Sequence, residues 1–103
     1  MIKVSFFYAN EPDKKFDVDY FVNKHMAMVG SKLGSALKGM SAEQGLGGGE
    51  PGAPATYVAM GHLLFDSVEA FQQAIAPHLA EITADIANYT DIAPIMQVSE
   101  VKI

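Results

Sequence analysis

The amino-acid sequence predicts an α+β fold in which two helices pack on one face of a four-stranded antiparallel sheet. Its segments follow the order strand, helix, strand, strand, helix, strand, judged from β-forming runs and from apolar residues at helical spacing. This is the order of the split βαβ arrangement. With 103 residues the chain has the length of one domain with a single modest core, so residues 1–103 are interpreted as one domain.

The first half of the chain contains a strand, a helix and a second strand. Residues Ile2–Tyr8 alternate in polarity and are rich in β-formers, which predicts the first strand. Asp17 is a suitable helix N-cap, and the apolar spacing that follows it extends to Leu33, where Gly34 ends the helix. The next strand is predicted at Leu37–Leu46.

The second half repeats this plan after a glycine-rich connection. The connection is the Gly- and Pro-rich stretch Gly47–Pro54. Within the overlapping run Gly45–Gly52 a flexible hairpin loop is predicted, because the run lacks the Lys-Ser/Thr ending of a phosphate loop and leads into a strand. That strand is predicted at Thr56–Phe65, and the last strand at Ile95–Ile103.

The second helix is predicted to run from Asp66 to about Ala87. Asp66 and Glu69 have the spacing of a capping box, with Asp66 as the cap and Glu69 reaching back to it. Pro77 lies inside this helix, where it removes a backbone hydrogen bond. It therefore predicts a kink, or two abutting helices, next to His78.

Composition excludes several classes of function. The chain has 7 basic and 12 acidic residues, and every basic one is a lysine, which argues against nucleic-acid binding and against arginine clamps on phosphate or carboxylate groups. It has no cysteine, which excludes disulfides, thiolate catalysis and cysteine-based metal sites. No charged leader and no membrane-length apolar run is visible, so we expect a cytoplasmic protein.

The chain has more apolar surface than its size can bury. Hydrophobic residues make up 50% of it, and the strands place apolar side chains on both faces of the sheet. Since the two helices cover only one of these faces, we expect a homodimer that packs through the open sheet face.

Two histidines lie within the apolar stripes of the helices. A titratable ring aimed at the core needs either a polar partner or an open cavity, so this pattern predicts a pocket between the helices and the sheet. In the first helix His25 shares its face with Val18, Phe21, Val22, Met28, Val29 and Leu33. In the second helix His78 shares its face with Phe71, Ile75, Leu79, Ile82, Ile86 and Tyr89.

His25 is the strongest candidate for chemistry, because imidazole gains and loses protons near neutral pH and can act as a general acid or base. The alternative is a core histidine that is hydrogen-bonded to a carbonyl or a strand side chain. His78 has the same two interpretations. Tyr8 ends the first strand, where its hydroxyl is expected at the mouth of a cleft and can donate to a substrate carbonyl. No two histidines have the helical spacing of a zinc site, so no metal site is predicted.

The predicted pocket is mostly apolar, so its ligand is expected to be a small apolar or aromatic molecule. No motif for nicotinamide, flavin or another cofactor is visible, and none is predicted. The orientation of His62 is open, since its strand face can also point into the dimer interface. The predicted ligand-binding residues are Phe6, Phe21, Met28, Gln44, His62, Phe71, Ile75, Ile82 and Tyr89.

Three segments of the chain together resemble the EthD family, which belongs to the dimeric α+β barrel proteins. They are DVDYFVNKHMAMV, MSAEQGLGGGEPGAPATYVAMGHLLFDSVEAF and IANYTDIAPIMQVSEVKI. Where the family usually has a proline, this chain has Ala27 on the polar face of the helix. The resemblance implies a ferredoxin-like homodimer with a cavity between helices and sheet. It also implies a role near oxidative degradation, for example of ethers, and an oxidoreductase label.

Different classes of function remain compatible with these features. The first is a cofactor-independent enzyme in which His25 moves a proton while His78, Tyr8 and Gln44 orient the substrate. Related barrels also catalyse cyclisation and decarboxylation, so the resemblance leaves the reaction open. The second is a carrier of a reactive apolar metabolite, or a haem binder through His25. The third is a structural barrel whose histidines only pair within the core.

Overall fold

The computed structural model describes all residues 1–103 and confirms the predicted α+β, ferredoxin-like architecture. The strands are β1 at Ile2–Ala9, β2 at Gly39–Gln44, β3 at Tyr57–Phe65 and β4 at Ile95–Glu100. They form one antiparallel sheet in the order β2-β3-β1-β4. Strands β2 and β4 are shorter than predicted, since pairing begins two residues later in β2 and ends at Glu100 in β4.

The first helix, α1, contains a π-helical stretch that the sequence pattern did not predict. It consists of consecutive segments, Val18–Tyr20 (α), Phe21–Met26 (π) and Ala27–Leu33 (α). Because a π-turn holds more residues than an α-turn, it changes which side chains face the sheet. Met26 is buried although α-helical spacing placed it outside the apolar stripe, and Val22 is 44% exposed although spacing placed it inside.

The second helix, α2, is broken at Pro77 as predicted. It consists of Val68–Ile75 (α), Ala76–His78 (3-10), Leu79–Asp85 (α) and Ile86–Asn88 (3-10). The predicted cap is wrong by one residue. The Ser67 hydroxyl, and not the Asp66 carboxylate, accepts the hydrogen bond from the backbone N–H of Ala70.

Both helices pack on the same face of the sheet. Phe71 of α2 packs against Phe65 of β3, with ring centroids 5.2 Å apart. Gly61 lies in β3 four residues before Phe65, on the same face of the sheet, and it lets α1 approach closely. A Cβ at this position would lie only 3.2 Å from Cζ of Phe21 and 3.4 Å from Cε of Met26. The core therefore lies between this face and the helices.

The opposite face of the sheet is not covered by any helix. Strand register places Ile95, Phe7 and Met60 side by side across three strands on that face. Ile95 is 55% exposed. An apolar row thus remains on the open face of a single chain. No helix in the structure is long and apolar enough to cross a membrane.

Candidate functional site

A small apolar cavity lies between the two helices and the sheet. Its volume is ≈ 40 Å³, which accommodates only a few non-hydrogen atoms. Aliphatic and aromatic side chains make up nearly all of its wall, and His25 and Tyr8 are its polar members. The wall is formed by Phe6, Tyr8, Phe21, His25, Met26, Val29, Gly61, Leu63, Ile75, Ile82 and Ile86.

His25 is held by a carboxylate from the other helix. Its Nδ1 lies 2.9 Å from Oδ2 of Asp85, which is the last residue of the second α-segment of α2. The His25 side chain is 6% exposed and that of Asp85 18%. The imidazole also stacks on Phe21 at 6.2 Å and contacts the Tyr89 ring at 4.7 Å between centroids. Aromatic packing and this hydrogen bond together restrict the ring to one orientation.

Asp85 is kept ionised by several hydrogen-bond donors. Burial acts to raise its pKa, but hydrogen bonds from Asn88, Tyr20 and His25, together with the attraction of the imidazole, hold the pKa below its ordinary value of 3.8. Oδ1 accepts from the Tyr20 hydroxyl at 2.7 Å and from Nδ2 of Asn88 at 2.9 Å. The hydrogen bond to Asp85 in turn raises the pKa of Tyr20, so Tyr20 remains a neutral donor.

An ionised Asp85 decides which nitrogen of His25 carries the proton. A carboxylate can only accept, so Nδ1 is the donor and Nε2 of the neutral ring keeps its lone pair. Every buried polar side-chain atom in the chain has a hydrogen-bond partner. Because Nδ1 makes the polar contact of His25, Nε2 is not sealed in the interior. His25 borders the cavity, so the ring nitrogen that is not bonded to Asp85 is a candidate proton acceptor for a molecule bound there.

Tyr8 and Tyr89 form a second polar feature beside the cavity. Their hydroxyl oxygens lie 2.7 Å apart, and the two residues are 2% and 0% exposed. Burial raises the pKa of Tyr8. The pKa of Tyr89 is raised mainly by burial and also by the contact with Tyr8. Both are therefore neutral phenols at physiological pH. The expected position of Tyr8 at the mouth of a cleft is wrong, because β1 is a central strand and α1 covers its side chain.

An outer cleft lies on the solvent side of Asp85, between α1 and α2. Its volume is ≈ 380 Å³, and its wall is more polar than that of the inner cavity. Asp85 belongs to this wall while its Oδ2 is bonded to His25, so the carboxylate connects the cleft with the imidazole. The wall consists of Tyr20, Lys24, Met28, Glu81, Ala84, Asp85 and Asn88.

The structure brings half of the predicted site residues to the inner cavity. His25, Tyr8, Phe6, Phe21, Ile75 and Ile82 line it. Tyr89 lies behind it against His25 and Tyr8, and Phe71 packs on Phe65 instead. Met28 lines the outer cleft. Gln44 is exposed at the end of β2, and His78 is partly buried but lines neither space.

His62 points to the opposite face of the sheet. Its Nδ1 lies 2.7 Å from the Ser5 hydroxyl, and its Nε2 lies 3.1 Å from Oε1 of Glu43. The Phe7 ring meets it edge-on at 6.2 Å. This cluster is separated from the inner cavity by the sheet itself. No three metal-ligating side chains come together anywhere in the chain.

Sequence reasoning missed the three residues around the outer half of the site. Tyr20, Asp85 and Asn88 all lie at helix positions that spacing assigns to the solvent side or to a helix end. Polar residues are common at such positions, so these three do not stand out in the sequence. The only available signal is the buried His25 itself, which needs a polar partner from a neighbouring element.

Comparison with known proteins identifies the relatives of this fold. A family model of the EthD domain matches residues 11–93. An EthD-like protein from Ralstonia eutropha JMP134 has 47% sequence identity, with a TM-score of 0.94 over 99% of this chain and 92% of that chain. No curated protein matches the chain in sequence.

More distant structures share the fold alone. An ethyl tert-butyl ether d (EthD) family protein from Bacillus halodurans C-125 has 17% identity and a TM-score of 0.76, covering 99% of each chain. A protein from Bacteroides fragilis, described as dimeric, of unknown function and ferredoxin-like, has 12% identity and a TM-score of 0.60, over 97% of this chain and 95% of that one.

Replacing Asp85 by asparagine should make the free energy of unfolding less dependent on pH in the acidic range. Because the pKa of Asp85 is lowered on folding, its ionised form stabilises the protein fully above its unfolded pKa, and this contribution is lost as pH falls through the folded pKa. We expect Asp85→Asn to lower the free energy of unfolding by about 1.5–3 kcal/mol at pH 7. The difference from the unmodified protein should shrink below pH 3.8.

Urea unfolding at a series of pH values measures this difference, with Asp13→Asn, at an exposed turn, as the matched control. A difference between Asp85→Asn and the unmodified protein that stays constant from pH 7 to about pH 2 would contradict the ionised, hydrogen-bonded role of Asp85.

Proposed function

The chain belongs to the EthD family, and on that premise we propose that it is a cofactor-independent enzyme of the oxidoreductase or oxygenase type. His25 acts as general acid and base on a small, uncharged apolar or aromatic molecule in the inner cavity. The observation that carries this proposal is the 2.9 Å hydrogen bond between Nδ1 of His25 and Asp85. This bond leaves Nε2 as a proton acceptor at an apolar cavity.

The proton transfer follows from the positions of His25 and Asp85. Nε2 accepts a proton from an acidic O–H or C–H of the substrate, and the Asp85 carboxylate stabilises the imidazolium that forms. The apolar wall strengthens this attraction, since little water screens it. The resulting substrate anion is electron-rich and can pass electrons to dioxygen, which would be the oxidant of an oxygenase. Decarboxylation and cyclisation begin from the same type of anion, and His25 can return the proton afterwards.

The wall of the cavity favours an uncharged ligand. None of the chain's lysines lines it, the chain has no arginine, and the nearest charge, Asp85, repels anions. An unactivated ether has no hydrogen that imidazole can remove. We therefore propose that the substrate in any ether-degrading sequence is an oxygenated product, carrying an acidic hydrogen, and not the ether itself.

An aromatic ligand requires the cavity to widen. The volume of ≈ 40 Å³ is well below the roughly 150 Å³ of an apolar cavity that binds benzene. The segment of α2 that closes the cavity contains no fully buried residue between Leu79 and Asp85, and it follows the break at Pro77. Because none of its residues is fully buried, we propose that this segment moves outward to enlarge the cavity.

Replacing His25 separates an enzyme from a carrier. We expect His25→Gln to reduce turnover about 10²–10⁴-fold while leaving ligand affinity nearly unchanged, because the proton acceptor is lost and the apolar wall is kept. His78→Gln is the matched control, since His78 lines neither the cavity nor the cleft. The assay follows oxygen uptake and product formation with a panel of phenols, hydroquinones and ketones.

A purified protein that binds panel members but turns none of them over, with affinity lost in His25→Gln, would identify a carrier and contradict the enzymatic proposal. Unchanged turnover in His25→Gln would also contradict it, since the reaction would then not use the His25 proton acceptor.

We also propose that two copies of the chain pair through the open sheet face. The apolar row of Ile95, Phe7 and Met60 on that face supports this, as does the dimeric relative from Bacteroides fragilis. Two such faces packed together would cover the row on both chains.

A charge on the open face should separate the two copies. We expect the unmodified protein to have twice the mass of the 11.1 kDa chain in light scattering, and Met60→Lys to have the mass of one chain. Val22→Lys places the same charge on the exposed side of α1 and should leave the mass unchanged. An unmodified protein with the mass of a single chain would contradict the proposed dimer.

A further inference from the structure

The hydroxyl pair of Tyr8 and Tyr89 leaves one hydrogen without an acceptor. Each phenol carries one hydrogen, and the contact of 2.7 Å between the two oxygens uses only one of the two. Tyr89 is 0% exposed and does not border the cavity. If Tyr8 were the donor, the Tyr89 hydrogen would be buried with no acceptor, at a considerable cost in stability. Either hydroxyl can be the donor on distance alone. We infer that Tyr89 donates, because the remaining hydrogen is then on Tyr8, which borders the cavity.

The hydrogen left on Tyr8 then belongs to a residue of the cavity wall. Burial raises the pKa of Tyr8, so its hydroxyl keeps its hydrogen. A donor backed by a second donor is strengthened as a hydrogen-bonding group.

The inner cavity thus has two polar functions for a ligand, a donor on Tyr8 and an acceptor on His25. The two rings share Phe21 and Tyr89 as neighbours. The centroid of the Tyr8 ring lies 5.4 Å from that of Phe21 and 6.0 Å from that of Tyr89. The centroid of the His25 ring lies 6.2 Å from that of Phe21 and 4.7 Å from that of Tyr89. Since Tyr8 and His25 line the same cavity, one bound molecule can contact both. The rest of the wall is apolar.

We propose that the substrate is an uncharged carbonyl compound with an acidic C–H beside the carbonyl group, whose oxygen accepts a hydrogen bond from Tyr8. This inference rests on the proposed function of His25 and names the class of molecule on which that residue acts. A carbonyl oxygen matches the donor, and the neighbouring C–H matches the acceptor.

The chemical step is an enolisation. The C–H bond breaks, its proton moves to Nε2 of His25, and its electron pair forms a C=C bond. The C=O π electrons move to the oxygen, which becomes an enolate held by the Tyr8 hydroxyl. Reprotonation from His25 reverses the step, so no oxidant or cofactor is needed to observe it. Tyr8 stays neutral throughout, because burial raises its pKa.

Exchange of the α-hydrogens in D₂O tests this step directly. Acetone, which has few atoms, suits the cavity as it stands, and acetophenone suits a widened one. Proton NMR follows the loss of the α-hydrogen signal with each probe. We expect the unmodified protein to accelerate exchange over buffer for at least one probe, His25→Gln to abolish the acceleration, and Tyr8→Phe to reduce it about 10²–10³-fold, as for loss of an oxyanion donor.

Two further variants distinguish this effect from a change in structure. Tyr89→Phe keeps the Tyr8 hydroxyl but removes its backing donor, and it should reduce the acceleration less than Tyr8→Phe does. Tyr57→Phe is the matched control, since Tyr57 packs on Phe7 on the open sheet face, and it should exchange like the unmodified protein. Circular dichroism and urea unfolding of each variant show that it is folded.

The results separate this inference from the proposed function on which it rests. Acceleration that depends on His25 but not on Tyr8 would overturn the role of Tyr8 while leaving the proton transfer intact. No acceleration for either ketone, together with His25-dependent turnover of phenols, would overturn the substrate class alone. No acceleration and no phenol turnover would overturn both.

Discussion

The hydrogen bond between Nδ1 of His25 and Asp85 is the contact on which the site depends. It joins the π-helical segment of α1 to the second half of α2, and it crosses the boundary between the inner cavity and the outer cleft. Without a carboxylate at this position, a buried imidazole would lack a partner for one nitrogen and would be free to adopt either tautomer. With it, the hydrogen is held on Nδ1 and the lone pair is on Nε2. Tyr20 and Asn88 position the carboxylate in turn.

Much of the fold follows from local pattern. The order of elements, the number of strands and the break at Pro77 are all consequences of apolar spacing and of proline's missing N–H. The π segment is not. Two of its residues, Phe21 and Met26, lie close to Gly61, a contact distant in sequence that local pattern does not describe. The cap at Ser67 differs from the predicted one at Asp66 since two adjacent residues are both good caps.

The site was predictable in part, for reasons that differ between residues. His25 stands out because an imidazole inside an apolar stripe conflicts with its surroundings. Asp85 gives no such signal, because a carboxylate on a helix face has the ordinary composition of a solvent-exposed surface. His62 lies on a strand that the sequence predicts. Both faces of this strand carry apolar side chains, so alternation alone does not say which face meets the helices. The depth of Tyr8 depends on β1 being a central strand, which only the pairing of all four strands establishes.

The tautomer of the neutral His25 ring shows whether Asp85 holds the hydrogen on Nδ1. Long-range proton–nitrogen correlation NMR of the histidine rings, recorded at a pH where His25 is neutral, assigns the hydrogen to one nitrogen or the other. We expect a protonated Nδ1 and a bare Nε2, with this preference lost in Asp85→Asn. A hydrogen on Nε2 would contradict it, because Asp85 would then not be accepting from the ring and the cavity would face a donor instead of a base.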